Sequence, residues 1–160
     1  PLSASNTSVD ITPETYERLA EHENIVAVKE ASGNISQIAE IKARTGDTLD
    51  MYSGNDDQII PLMSVGGIGV ISVLSNLLPR QTHEMCMAYL NGDTKKAMEM
   101  QLRYFDLIKA LFCEVNPIPV KAAMSYMGFC ENYVRSPLYP MEGANAERLR
   151  ASMRNAGIEI

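Results

Sequence analysis

Lys29 is the residue whose chemistry and position conflict. It follows a short apolar run, Ile25-Val26-Ala27-Val28, and precedes Glu30, Ala31, Ser32 and Gly33. A β-branched run of that length reads as a buried strand. Taking an ammonium group out of water is costly, so an amine placed there needs a partner or a task. One task is nucleophilic: a desolvated lysine can add to a carbonyl and form a Schiff base. The structural alternative is an ion pair at a strand end, with Glu30 or Asp56 as the carboxylate. On a strand, Ile25, Ala27 and Lys29 share one face, and Val26, Val28 and Glu30 share the other.

Two further stretches could serve such an amine. Ser53-Gly54-Asn55-Asp56-Asp57 follows a second apolar run, and Gly54 would let a ligand approach the backbone closely. Its plain alternative is a turn with an Asp N-cap. Gly69-Val70-Ile71-Ser72-Val73 could present backbone carbonyls to a substrate, or could simply be core strand. His22 and His83 fall on predicted helices without a metal-like partner at i+4 and read as surface residues. Cys86, Cys113 and Cys130 are far apart in sequence, form no CxxC pair, and read as reduced, mostly buried thiols of a cytoplasmic protein.

The elements that must hold these groups alternate. Thr12-Pro13-Glu14 is a helix start, with Thr12 as N-cap and Pro13 at the first helical position. The helix runs to about His22 and buries Tyr16, Leu19 and Ala20. After the Lys29 strand, Ser32 or Asn34 caps a helix from Ile35 to about Arg44, with Ile35, Ile38, Ala39 and Ile41 as its apolar stripe. Gly46-Asp47 ends it. Thr48–Ser53 is the second strand, 57–65 a short helix, Ile68–Val73 the third strand, and a helix follows Pro79 to about Leu90. Short apolar strands separated by helices indicate a parallel sheet covered by helices, in a doubly wound sheet or a βα barrel. No dinucleotide or P-loop glycine motif follows a strand.

Beyond Leu90 the pattern is helical. Residues 93–112 predict one long amphipathic helix, with Ala97, Met100, Leu102, Tyr104, Phe105, Ile108 and Leu111 available to a core. Pro117-Ile118-Pro119 breaks it, Val120–Met127 predicts another helix, and Ala144–Ala156 a last one. The ten methionines read as packing filler.

At 160 residues, with 46% hydrophobic and 21% charged residues, the composition is that of a globular protein with a sizeable core. A net charge of −6 disfavours a nucleic-acid partner. No apolar run approaches the ~18 residues of a membrane span. Pro1–Ser8 lacks the charge and apolar centre of a signal peptide. The chain does not begin with Met, and reads as a fragment or a processed chain.

VAVKEASGN around Lys29, YSGNDD at Tyr52–Asp57, GGIGVISVLSNLLP at Gly66–Pro79 and EVNPIPVKAA at Glu114–Ala123 occur in order through most of residues 9–160. Together they resemble the C-terminal part of the dihydrodipicolinate synthase family, within the class I pyruvate aldolases that also include N-acetylneuraminate lyase. The NPIPVK run is more typical of the synthase than of the lyase. The resemblance implies an α/β fold: the C-terminal half of a (β/α)₈ TIM barrel, about strands 5/6 to 8, over residues 1–90, followed by an all-helical C-terminal extension over 91–160. It implies that Lys29 forms a Schiff base with pyruvate, that Ile71 offers its backbone carbonyl to the bound group, and that Gly54 lines the pocket. The resulting enamine would attack an aldehyde, L-aspartate-4-semialdehyde in the synthase branch. No metal or organic cofactor is implied.

The chain also departs from the family pattern. Where the family carries a YNVPxRT-like stretch before TSVD, this chain has PLSASN before Thr7-Ser8-Val9-Asp10, so Pro1 and Asn6 stand at the tyrosine and arginine positions. The tyrosine relays protons and the arginine holds the aldehyde, so turnover by the chain alone is expected to be poor. The rest of the relay and the lysine-feedback site would lie outside this sequence. A (β/α)₈ barrel takes ~250 residues; this chain has three clear strands, with room for a fourth at its start. Two other readings stand beside the enzyme piece. One is a non-catalytic half-barrel module that self-associates through exposed strand edges, as a homo-oligomer or with a complementary N-terminal half. The other is a lyase-like aldolase with a different aldehyde.

Overall fold

The computed structural model of the chain describes residues 10–160. The expected further strand at the start, and the Pro1 and Asn6 positions, lie outside the described residues. The chain packs as two units, one formed by residues up to Ser72 with Cys86–Ala97, the other by Val73–Met85 with Met98–Ile160.

The first unit is built on alternating helices and strands: α1 (Pro13–Leu19), β1 (Ala27–Glu30), α2 (Ile35–Thr45), β2 (Asp50–Ser53), α3 (Ile59–Ser64) and β3 (Gly69–Val70). Thr12 is the extended N-cap residue of α1, and its carbonyl accepts from the Thr15 and Tyr16 amides at 3.0 and 3.1 Å. Its hydroxyl does not cap; it meets the Thr15 hydroxyl at 3.2 Å. The helix stops at Leu19 rather than His22 because the chain tightens: Glu21 and His22 donate three residues back, to Arg18 and Leu19. Asn34 caps α2 by accepting from the Gln37 amide at 3.2 Å, and Gly46 ends it at φ +56. The stripe of α2 is narrower than expected. Ile38, Ile41 and Thr45 are buried, while Ile35 and Ala39 are exposed, since they fall to the sides of that line.

The strands form a parallel sheet in the order β1-β2-β3. Ala27, Val28, Lys29 and Glu30 pair with Asp50, Met51, Tyr52 and Ser53, and Tyr52 and Ser53 pair with Gly69 and Val70. One face of the sheet is the core face. Val28 and Met51 pack there with Tyr16 of α1, Ile38 and Ile41 of α2, Leu62 of α3, and Leu49. Each aliphatic side chain so buried contributes ~1.5–3 kcal/mol. Ile25 and Val26 precede the strand: Ile25 donates to His22 in a turn, and Val26 is 65% exposed. Arg44 ties α2 to α1 at the surface, meeting Glu14 at 2.8 Å and Glu17 at 3.0 Å.

Two helices are shared between the units, α4 (Pro79–Leu90) and α5 (Thr94–Arg103); α6 (Phe105–Leu111), α7 (Ile118–Tyr126) and α8 (Gly143–Asn155) complete the second. The single helix expected over 93–112 is two, broken at Tyr104, whose backbone lies at φ −94, ψ 2. The buried line still runs on as Ala97, Gln101, Tyr104, Ile108 and Leu111. Leu102 and Phe105 fall off that line, and are 65% and 43% exposed. In the second unit, Asp106 of α6 accepts from Ser152 of α8, and the Arg150 guanidinium sits 4.2 Å from the Tyr126 ring centre. Cys130 is exposed, contrary to expectation, because it sits past the end of α7; Cys86 and Cys113 are partly buried, and all three thiols are free. Among the described residues, no helix is long and apolar enough to cross a membrane.

Candidate active site

Alternation along β1 separates Lys29 from the residues beside it. Val28 and Glu30 are buried, and Ala27 and Lys29 are half-buried on the opposite face. Lys29 is the penultimate residue of its strand, at the end where barrel enzymes carry their chemistry. The next residue fixes that end. The Glu30 side chain is 1% exposed; its Oε1 accepts from the Ser32 amide at 2.7 Å, and its carbonyl accepts from the Gly54 amide at 2.7 Å. The ion-pair alternative is not what the fold builds. Among the described residues, Lys29 makes no salt bridge with Glu30, Asp56 or any other carboxylate.

Gly54 follows β2 directly and lies against the lysine. A Cβ built on Gly54 would stand 3.1 Å from Lys29 Cε, 3.1 Å from the Glu30 oxygen and 2.5 Å from Ala31 Cβ. The missing side chain therefore makes room for the lysine stem, whatever else approaches from solvent. The turn after it holds itself: the Ser53 hydroxyl donates to the Asn55 carbonyl at 2.7 Å and accepts from the Asn55 amide at 3.2 Å. Its N-cap residue is Asn55, not an Asp, and Asp56 is buried just behind it. Burial, and then the negative charge of Asp56, push the Cys86 thiol above its ordinary range.

Ile71 lies one residue beyond β3, not inside a six-residue strand. Its amide donates to Ser53 at 2.8 Å, and its side chain is 49% exposed. The ladder cannot continue, because its partner strand ends at Ser53 and turns at Gly54. One neighbour of Lys29 went unremarked in the sequence. Tyr52 pairs with Lys29 in register, and Gly69 pairs with Tyr52, so the three form one row across the sheet. No sequence signal marks this pairing, because the register is set only when the two four-residue strands Ala27–Glu30 and Asp50–Ser53 meet, with Lys29 and Tyr52 each third in line. His22 lies beyond α1, exposed, its Nδ1 accepting from the Asn24 amide at 3.2 Å; His83 is exposed on α4. Among the described residues, no group of three His, Cys, Asp or Glu side chains could hold a metal ion.

A primary amine held without a carboxylate partner at a strand end, beside a glycine that leaves its stem free, is suited to adding to a carbonyl. Comparisons with known proteins show the family. The model of the dihydrodipicolinate synthetase family matches residues 3–156. The 4-hydroxy-tetrahydrodipicolinate synthase of Alkaliphilus oremlandii is 50% identical over 154 residues, covering 96% of this chain and 53% of that protein. The enzyme of the same name from Caldicellulosiruptor saccharolyticus is 54% identical over 156 residues, covering 98% and 52%. Crystal structures of dihydrodipicolinate synthase from Aquifex aeolicus and Thermotoga maritima superpose with a TM-score of 0.94, at 40% and 41% identity, over 98% of this chain and 54% and 55% of theirs. The chain thus spans about half the length of the curated relatives it matches. With that match running almost from end to end, the chain belongs to the dihydrodipicolinate synthetase family.

Proposed function

We infer that this chain carries the pyruvate-capturing half of a dihydrodipicolinate synthase, with Lys29 as the Schiff-base residue. Residues 1–90 are read as C-terminal βα units of a (β/α)₈ barrel and 91–160 as the helical extension. The Lys29 amine adds to C2 of pyruvate; loss of water gives a protonated imine, and loss of a proton from C3 gives the enamine. The enamine carbon then attacks the aldehyde of L-aspartate-4-semialdehyde, and hydrolysis returns the amine. Gly54 lines the pocket and the Ile71 carbonyl accepts from the bound group. The observation that carries this reading is the placement of Lys29: strand-end, half-buried, in no salt bridge among the described residues, and backed by Gly54.

Borohydride reduction in the presence of pyruvate, followed by peptide mass spectrometry, tests it. A pyruvyl adduct on Lys29 that is absent from folded Lys29→Ala is the expected result; folded wild-type protein without adduct overturns it. Turnover by the chain alone should be slow, since general acid–base help contributes ~10²–10⁴-fold and the family's tyrosine and arginine are replaced by Pro1 and Asn6.

A self-associating half-barrel is the second reading. It is favoured by the sheet, in which β1 and β3 each have one neighbour among the described residues. Strand edges invite pairing with another chain, a second copy or a complementary N-terminal half. Light scattering decides it: a stable monomer removes this reading.

A further inference from the structure

Tyr52 lies between Lys29 and two glycines, and each glycine is covered by one of the two long side chains. Tyr52 is half-buried on β2, on the face opposite to buried Met51 and Ser53. It is in register with Lys29 on one side and with Gly69 on the other. Its ring leans towards β3: a Cβ built on Gly69 would stand 3.4 Å from Tyr52 Cδ1 and 3.5 Å from Cε1. Gly69 is buried, with that ring edge against it.

The lysine stem runs to the other glycine. Lys29 is rooted level with Tyr52, yet its Cε stands 3.1 Å from the position of a Cβ on Gly54, two residues further along the middle segment. The stem therefore leans across the sheet and upward at once. Neighbouring strands are ~4.8 Å apart, so side chains at one level of one face compete for the same space. At the level of Lys29 that space is taken. The Tyr52 side chain rises from the middle strand, and its ring covers the next one. A stem leaning towards β2 passes above the tyrosine, where Gly54 leaves room. A lysine stem is flexible, and its amine keeps one place only where neighbours exclude the other rotamers.

We propose that Tyr52 is a positioning residue for Lys29: its ring, seated on Gly69, closes the level at which the lysine is rooted and keeps the amine raised over Gly54. The proposal rests on the Schiff-base reading of Lys29 and adds the side chain that aims it. The ring acts by its bulk; its hydroxyl takes no part in making or breaking bonds.

Borohydride trapping of pyruvate by the intact chain tests this, read as the rate of adduct formation on Lys29 over a series of pyruvate concentrations. Tyr52→Phe keeps the ring and should trap like the wild type. Tyr52→Ala opens the lower level and should trap about tenfold or more slowly at saturating pyruvate, since a 1 Å misplacement of a reacting group can cost ~10²-fold. Gly69→Val should slow trapping too, because its branched methyls push the ring from its seat towards the lysine. Both substitutions act through one ring, so Tyr52→Ala/Gly69→Val should be no slower than Tyr52→Ala alone. Circular dichroism gives the folded fraction of each variant, and rates are compared per folded chain. Should Tyr52→Ala not fold, Gly69→Val supplies the comparison with Tyr52 and Lys29 both in place. A wild-type chain that forms no adduct overturns the Schiff-base reading and this proposal with it. Where the wild type does form the adduct, any of four results overturns this proposal alone: a wild-type rate in folded Tyr52→Ala, a wild-type rate in folded Gly69→Val, Tyr52→Phe as slow as Tyr52→Ala, or losses that multiply in the double variant.

Discussion

Replacing Gly54 by alanine should disable imine formation without touching the amine. The new Cβ would lie 2.5 Å from Ala31 Cβ and 3.1 Å from both the Glu30 oxygen and Lys29 Cε. Carbon atoms rest at ~3.5–4.0 Å, so the Ala31 contact alone demands a shift of about 1 Å. Ala31 has no flexible side chain to move, and Gly54 is tied to Glu30 by a 2.7 Å hydrogen bond, so the shift falls on the two strand ends. Overpacking of this kind costs ~1–3 kcal/mol. For a chain of this length that lowers Tm by about 2–4 °C per kcal/mol. The kinetic cost should be larger, since a 1 Å misplacement of a reacting group can cost ~10²-fold. The assay is the rate of borohydride-trapped pyruvyl adduct on Lys29, read by mass spectrometry beside a thermal melt. Gly46→Ala is the control. Gly46 sits at φ +56, ψ −130 with nothing within 4 Å of its added Cβ, so that variant should lose ~1–3 kcal/mol of stability through backbone strain yet trap at the wild-type rate. If Gly54→Ala traps pyruvate as fast as wild type with an unchanged melt, the packing argument is wrong.

Other perturbations address the frame. Ile41→Ala, at a fully buried position in the first unit, should cost ~2–5 kcal/mol in chemical denaturation. Asn34→Ala removes the side chain that receives the Gln37 amide and should cost ~0.5–2 kcal/mol in the same experiment. Burial and the charge of Asp56 raise the Cys86 thiol above its ordinary value of 9.0, so the folded state favours its protonated form. The stability this supplies is intact below pH 9.0 and is lost as pH rises through the folded value. Melts taken across that alkaline range should fall less steeply for Cys86→Ala. At neutral pH, alkylation followed by peptide mass spectrometry should label exposed Cys130 well before Cys86.

The order of elements in the first unit was legible because each strand and helix carries its own signal. Thr12-Pro13 starts α1, Asn34 caps α2, and Gly46 ends it, all through local chemistry. Features set by partners were not legible. Ile68–Val73 has the composition of a six-residue strand, yet only Gly69–Val70 pairs as one, because β2 ends at Ser53. Leu102 and Phe105 look like core residues by type, and only the line through Ala97, Tyr104 and Ile108 shows that they point elsewhere. At the site, Lys29 stood out because charge and an apolar run disagree. Its neighbour Tyr52 did not, since parallel register is a property of two segments at once. Gly54 was legible as a place of close approach, but what approaches it in the fold is the lysine's own stem.

The anchoring of Glu30 has a dynamic consequence. The residue after Lys29 is held twice, by its carbonyl to Gly54 and by its carboxylate to Ser32. The residues on both sides of Lys29 are buried, and β1 is paired along its whole length. Backbone rearrangement at such a point is a microsecond or slower event, whereas rotation about side-chain bonds takes picoseconds to nanoseconds. The amine therefore explores its surroundings by turning its own flexible stem from a fixed root. On the Schiff-base reading proposed above, its encounters with a carbonyl would be averaged over many orientations before the strand beneath it could move.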